Sequence, residues 1–174
     1  MLPSAAPATP LALIVMGVSG CGKSTLGKLL AEALGAPFLE GDDFHSQAAV
    51  AKMRGGEPLS DADRWPWLER LGLATAEAIA AHGSAVVACS ALRKPYRDRL
   101  RAVIPAPVRF VLPDSSRESL LARLAGREGH FMPASLLDSQ LATLERPVAD
   151  ENAIVLGVEA SPETLRDHVL SRLR

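Results

Sequence analysis

Aromatic side chains are scarce in this chain: Phe, Trp and Tyr together make up 4% of its 174 residues. Leu, Val, Ile and Ala must therefore fill any core, and with 48% of the residues apolar there are enough for a sizeable one. Cysteine is scarcer still. Cys21 and Cys89 cannot build a disulfide framework and have no metal-ligand spacing, so a reducing, cytoplasmic setting is expected. Neither sign of charge dominates, since 19 basic side chains balance 20 acidic ones. That balance argues against a nucleic-acid partner, whose binding surface normally carries a basic excess. No long hydrophobic run is present. The apolar stretch from Leu11 to Val18 is interrupted by glycine, follows no basic region and is too short to span a membrane, so neither a signal peptide nor a membrane partner is expected. Residues 1–10 carry three prolines and are expected to be a disordered tail, ahead of one domain over residues 11–174.

Two further absences bear on chemistry. Asn152 is the one asparagine in the chain, which excludes an Asn-Lys-x-Asp element for reading guanine. The apolar run SAVVACSA reaches Cys89 and Ser90 without an acid, whereas switches and mechanical ATPases usually carry a Walker B carboxylate at such a strand end. Both point towards a small phosphotransferase.

Apolar runs alternate with helical patterns along the whole chain. Strands are predicted at LALIVMG, PFLEG, SAVVACSA, PVRFVLP and NAIVLG. Helices are predicted from Lys23 to Leu34, around AAVAKMRGG, from an N-cap at Asp61 to a stop at Gly83, and over YRDRLRAVI, SRESLLARLAGR, PASLLDSQLATLE and SPETLRDHVLSRLR. This alternation predicts an α/β fold: a five-stranded parallel sheet with helices on both faces and ligands beyond the carboxyl ends of the strands.

Gly17, Gly20, Gly22, Lys23 and Ser24 spell G-x-x-x-x-G-K-S between a predicted strand and a predicted helix. In that context the glycines let backbone amides turn inward onto phosphate oxygens, Lys23 reaches the outer phosphates, and the Ser24 hydroxyl can hold Mg²⁺. The loop from Gly17 through Val18, Ser19, Gly20, Cys21, Gly22, Lys23, Ser24 and Thr25 is the expected ATP site. Amides around Cys21 would lower its thiol pKa, so oxidants are expected to inhibit and ATP to protect.

Acids follow the second predicted strand in FLEGDDFH. Glu40 and Asp42 are two apart, so on an extended segment they face the same way. One can orient Mg²⁺ through water and the other can accept a proton from a hydroxyl. The same residues also read as a solvated turn. Arg123 and Arg127 in RLAGREGHF suit a lid over about 123–133 whose arginines meet a transferring phosphoryl group, and equally an exposed helix end.

Taken together, GVSGCGKST, FLEGDDFH, KMRGGEPLSDADRWPWL, CSALRKPYRDRLR, RLAGREGHFMPASLLDSQLATLE and ADE resemble the gluconate kinases, small P-loop kinases related to the shikimate kinases. The resemblance runs over roughly residues 11–157. It implies a P-loop nucleoside-triphosphate hydrolase-like fold and Mg²⁺-dependent transfer from ATP to the 6-hydroxyl of D-gluconate, in a cytoplasmic homodimer. It also implies Asp42 as general base in preference to Asp43, and Glu40 on the metal side. Arg64 would hold the substrate carboxylate in a bidentate pair, although DRWPWL can also be a capped helix start with a surface arginine. Arg97 and Arg101, four apart in YRDRLR, are second candidates for that carboxylate and read equally as a solvated helix face, and His45 is a candidate polyol contact. Arg123 and Arg127 become lid arginines, while His130 is expected to be structural. The competing readings are a kinase for another small hydroxy acid such as shikimate, and an ATP-binding regulatory protein without catalysis.

Overall fold

β1 (Leu11–Val15) takes the middle of the sheet because it is apolar towards both faces: Ala12, Leu13, Ile14 and Val15 are completely buried. The computed structural model describes residues 9–126, 134–157 and 160–173. β3 (Ser84–Ala88) pairs with β1 on one side and β4 (Val108–Pro113) on the other, with Ile14 opposite Val87 and Phe110. β2 (Phe38–Glu40) and β5 (Ile154–Leu156) complete a parallel sheet in the order β2-β3-β1-β4-β5. All five predicted strands form. Residues 1–8 of the predicted tail lie outside the described residues.

Helices cover both faces. α1 (Lys23–Leu34) and α7 (Pro162–Arg172) seal one face through Leu26, Leu30 and Val169 against Val15 and Val111. α3 (Asp61–His82) and α4 (Lys94–Val103) seal the other, where Trp67, Leu68, Leu71 and Leu100 pack on Ile14, Val87 and Phe110. α3 and α4 meet at Gly72, where an added Cβ would lie 2.7 Å from the Val103 side chain. The short α2 (Gln47–Arg54) precedes α3. α5 (Arg117–Ala125) and α6 (Ala134–Thr143) form a third cluster, with Leu120, Leu124 and Leu137 against Val18 and Cys21 just beyond β1. Among the described residues no helix is long and apolar enough to cross a membrane.

The start of α3 differs from the prediction by one residue. Ser60, not Asp61, is the N-cap: its hydroxyl accepts from the Asp63 amide at 3.2 Å and the Asp63 carboxylate accepts from the Ser60 amide at 2.9 Å. Lys52 of α2 donates to Asp63 at 2.9 Å. That hydrogen bond, with those from Ser60, holds the Asp63 carboxyl down at about 2. Asp61 is thereby free to accept from the Tyr96 hydroxyl and from Arg93 at the start of the neighbouring α4.

Arg97 also departs from its expected place. As the fourth residue of α4 it points into the protein, fully buried, and its Nε and Nη2 grip the Glu151 carboxylate at 2.7 and 3.1 Å. A substrate carboxylate has no access to it. Arg101, one turn later, lies 3.3 Å from the same carboxylate with its guanidinium 4.7 Å above the Phe110 ring. Burial pushes the Glu151 carboxyl upwards, but hydrogen bonds from Arg97, the Val148 amide and Arg101 outweigh it and hold the group at about 2. The pair joins α4 to the 3₁₀ turn Ala149–Glu151 before β5. Because a buried carboxylate without its partner is costly, Arg97→Met should destabilise the fold by about 3–5 kcal/mol in urea titration, with most of that recovered in Arg97→Met/Glu151→Leu. Folded Glu151 has the lower pKa, so its contribution is complete above 4.5 and is lost as pH falls through about 2. Glu151→Gln should lack that acid-side decline.

Candidate functional site

The chain leaves β1 under tight restraint. The Met16 amide donates to Val111 O at 2.8 Å and the Gly17 amide to Ser90 O at 3.0 Å, so the loop is hooked onto both neighbouring strands. Within the loop Gly17, Gly20 and Gly22 take φ of 133°, 84° and 90°, a region that side chains disfavour. At Gly17 an added Cβ would also meet the Cys21 Sγ at 2.9 Å. α1 then begins at Lys23 with no side chain capping it. Its first-turn amides have no intrahelical acceptor and, with the dipole, offer an anion site. Lys23 Nζ donates to Val18 O at 3.0 Å across the loop.

Two cavities open on this loop. One, of about 280 Å³, is lined by Ser19 and Lys23 together with Asp42, His45, Arg64 and Trp67. The other, of about 390 Å³, lies against Gly20, Gly22 and Thr25 and is walled by Arg123, Ala160 and Pro162. The loop thus separates a chamber containing an acid and an arginine from a chamber reached by its helix-side residues. That is the division a donor and an acceptor require.

Glu40 ends β2, and its carboxylate accepts from the Ser24 hydroxyl. Asp42 does not continue the extended strand. Gly41, where a Cβ would lie 2.4 Å from Ala88 O, opens a 3₁₀ turn through Phe44 that carries Asp42. The turn places the Asp42 side chain, 83% exposed, on the first cavity beside Lys23. Asp43 does not line either cavity.

His45 is nearly buried, with 4% of its side chain exposed. Its ring stacks on Trp67 with centroids 4.1 Å apart, and the Trp67 indole donates to Gly41 O at 2.7 Å. Nε2 lies 3.9 Å from Asp42 Oδ1, while Nδ1 has no hydrogen-bond partner. Burial pushes the imidazole below its ordinary pKa; Asp42 opposes this, and Arg70 and Arg64 reinforce it. The ring is therefore neutral at pH 7 and offers one donor and one acceptor.

Arg64 lies in the second turn of α3. Its Nη1 donates to Leu59 O and to the Tyr96 hydroxyl, and its guanidinium lies 5.3 Å above the Tyr96 ring. These contacts hold the fork at the cavity wall. Arg123 faces the second cavity, with Nη1 3.4 Å from Gly20 O. Arg127, His130 and the rest of the predicted lid beyond Gly126 lie outside the described residues. Cys21 is 4% exposed, with its Sγ 3.9 Å from Met16 O, so the thiol is tucked beneath the loop. Burial pushes Cys89 up to about 12.

Trp67 and Gln140 were given no functional role by the sequence. Gln140 of α6 accepts from the Ser19 amide at 2.8 Å and lines the first cavity. Its signal was faint: a polar residue three beyond Leu137 in a helix otherwise docked by leucines.

Ser24 and Glu40 are suited to Mg²⁺, a hard cation that typically takes one or two protein oxygens and completes its shell with phosphate and water. Among the described residues no cluster of three or more His, Cys, Asp or Glu forms a separate metal cage.

A family profile described as an AAA domain matches residues 13–147. The chain is 48% identical to a gluconokinase of Gluconobacter oxydans, over 92% of this chain and 90% of that one. It is 49% identical to a thermosensitive gluconokinase of Escherichia coli, over 82% and 75%. The crystal structure of a gluconokinase from Sinorhizobium meliloti superposes with a TM-score of 0.84 at 43% identity, over 94% and 91%.

Gly17→Ala combines an unfavourable φ with a close contact to Cys21. It should weaken Mg²⁺·ATP binding about 10–100-fold in titration calorimetry, from roughly 1–3 kcal/mol of strain. An unchanged affinity would remove the loop geometry as the basis of binding.

Proposed function

The chain belongs to the gluconokinase family, and from that premise we propose that it transfers the terminal phosphoryl group of ATP to the 6-hydroxyl of D-gluconate. The products are 6-phospho-D-gluconate and ADP. The observation that carries this reading is the first cavity, in which a carboxylate, an arginine and the phosphate-loop lysine share one wall-to-wall space.

The chain's residues divide the work. Arg64 pairs with the gluconate carboxylate, a charge-assisted contact that a planar fork can make in bidentate form. His45, neutral and on the wall of the same cavity, meets a polyol hydroxyl. Asp42 orients the 6-hydroxyl and accepts its proton as the bond to phosphorus forms. Lys23 leaves Val18 O and stabilises the equatorial oxygens, joined by Arg123 and Arg127 from the lid side. Ser24 and Glu40 would hold Mg²⁺ by way of the hydroxyl and water, and the cation would supply charge neutralisation to the outer phosphates. Loop amides from Gly17 to Thr25 fix the donor in line with the acceptor. Cytoplasmic location and a homodimeric assembly belong to the same reading.

ADP release should be strong with Mg²⁺·ATP and D-gluconate and near background with gluconate stereoisomers, glucose, shikimate or no acceptor. Turnover with a different acceptor would retain the kinase and discard the substrate. Asp42→Asn should lower kcat about 10²–10⁴-fold; a loss below about tenfold would exclude it as the base. Arg64→Lys keeps the charge but loses the fork and the Tyr96 face. It should raise the KM for gluconate about tenfold and leave the KM for ATP unchanged.

A further inference from the structure

α6 belongs to both halves of the site. Leu137, completely buried, anchors it against Val18 and Cys21 of the phosphate loop. On another side of the helix, Leu136, Ser139, Gln140 and Thr143 line the acceptor cavity. Between these faces the Gln140 carboxamide oxygen sits 2.8 Å from the Ser19 amide, a contact spanning 121 residues of sequence.

Ser19 is an informative partner. It lies in the loop whose amides hold phosphate oxygens, and it opens onto the cavity of Lys23 and Asp42. Gly20, Gly22 and Thr25 open onto the other cavity. The Ser19 amide therefore faces the side from which the terminal phosphoryl group leaves. An amide oxygen on that donor occupies a position fit for a phosphoryl oxygen, with the same hydrogen-bond geometry and without the charge.

We propose that Gln140 is a positioning residue that stands in for the terminal phosphoryl group on the Ser19 amide and yields the donor when that group arrives. The released carboxamide then presents its two N–H donors to the acceptor cavity that it already lines. Occupancy by the triphosphate is thereby communicated to the acceptor side through one side chain, with no movement of α6. The inference rests on the phosphotransfer reading of the site, but not on gluconate being the acceptor.

Two variants separate this role from simple docking of α6. Gln140→Glu keeps an oxygen acceptor for the Ser19 amide but sets a negative charge against the terminal phosphate. Gln140→Ala removes the competitor and leaves the Leu137 anchor intact. Affinities for Mg²⁺·ADP and for the Mg²⁺ complex of a non-hydrolysable imido analogue of ATP are measured by titration calorimetry, with thermal melts as a control for folding. Gln140→Glu should weaken the triphosphate analogue about tenfold or more relative to ADP. Gln140→Ala should bind the analogue at least as tightly as the parent, while its KM for gluconate rises several-fold. A wild-type ratio of analogue to ADP affinity in folded Gln140→Glu would overturn the proposal. Should that variant fail to fold, equal weakening of both nucleotides in Gln140→Ala would do the same. Absence of gluconate turnover in the parent enzyme would strike the proposed acceptor and leave the nucleotide ratio as the test of Gln140.

Discussion

The turn from Val15 to Lys23 is the constraint on which the rest of the molecule depends. β1 is buried on both faces, so it can leave the sheet only at its carboxyl end. There the Met16 and Gly17 amides are already committed to β4 and to Ser90, two residues beyond β3. Seven residues must then reverse into α1 with amides turned inward, and three of them adopt left-handed backbone. A side chain at Gly17 would strike Cys21, and Cys21 in turn packs in the cluster that seats α5 and α6. The phosphate site and the helices that wall it are therefore one packing problem. The sheet supplies rigidity, and the loop converts it into a fixed array of donors.

A second constraint acts on the wall of the first cavity. Ala91 carries φ of 43°, uncommon for a side-chain-bearing residue, at the segment leading from β3 to α4. Arg97 Nη1 donates to Ala91 O at 2.9 Å and to Leu92 O at 3.3 Å while its other nitrogens hold Glu151. Ser90 and Leu92 line the first cavity. The buried ion pair thus serves function at one remove: it over-determines a strained segment that forms part of the site. This is why removing a single partner is costly even though buried pairs are weak contributors to net stability.

What was legible in the sequence was local. The glycine spacing of Gly17 to Ser24, the five apolar runs and the stop at Gly83 each express physics within a few residues, and each reappears in the structure. What was not legible depended on distant partners. Arg97 reads as a solvated helix arginine until Glu151, 54 residues away, is brought beneath α4. Asp42 reads as lying on an extended segment after the second strand, or in a solvated turn, until the close approach of Gly41 to Ala88 O shows a 3₁₀ turn. Ser60 outcompeted Asp61 as the cap because Asp63 could complete a reciprocal box and Lys52 could reinforce it. Gln140 carried only a faint signal, because its partner is a backbone amide whose direction only the folded loop defines.

The 3₁₀ turn also explains the aromatic economy of the site. The two tryptophans in the chain lie within a single turn of α3, and Trp67 fastens the Asp42 turn by its hydrogen bond to Gly41 O. Its ring face covers His45, and that burial keeps the imidazole neutral against the pull of Asp42. A protonated imidazole 3.9 Å from Asp42 would add a further cation to a wall that Lys23 and Arg64 already line. Neutral, the ring leaves those two as the cations that share the cavity with Asp42. One indole thus fixes the turn that carries Asp42 and keeps the ring beside it uncharged.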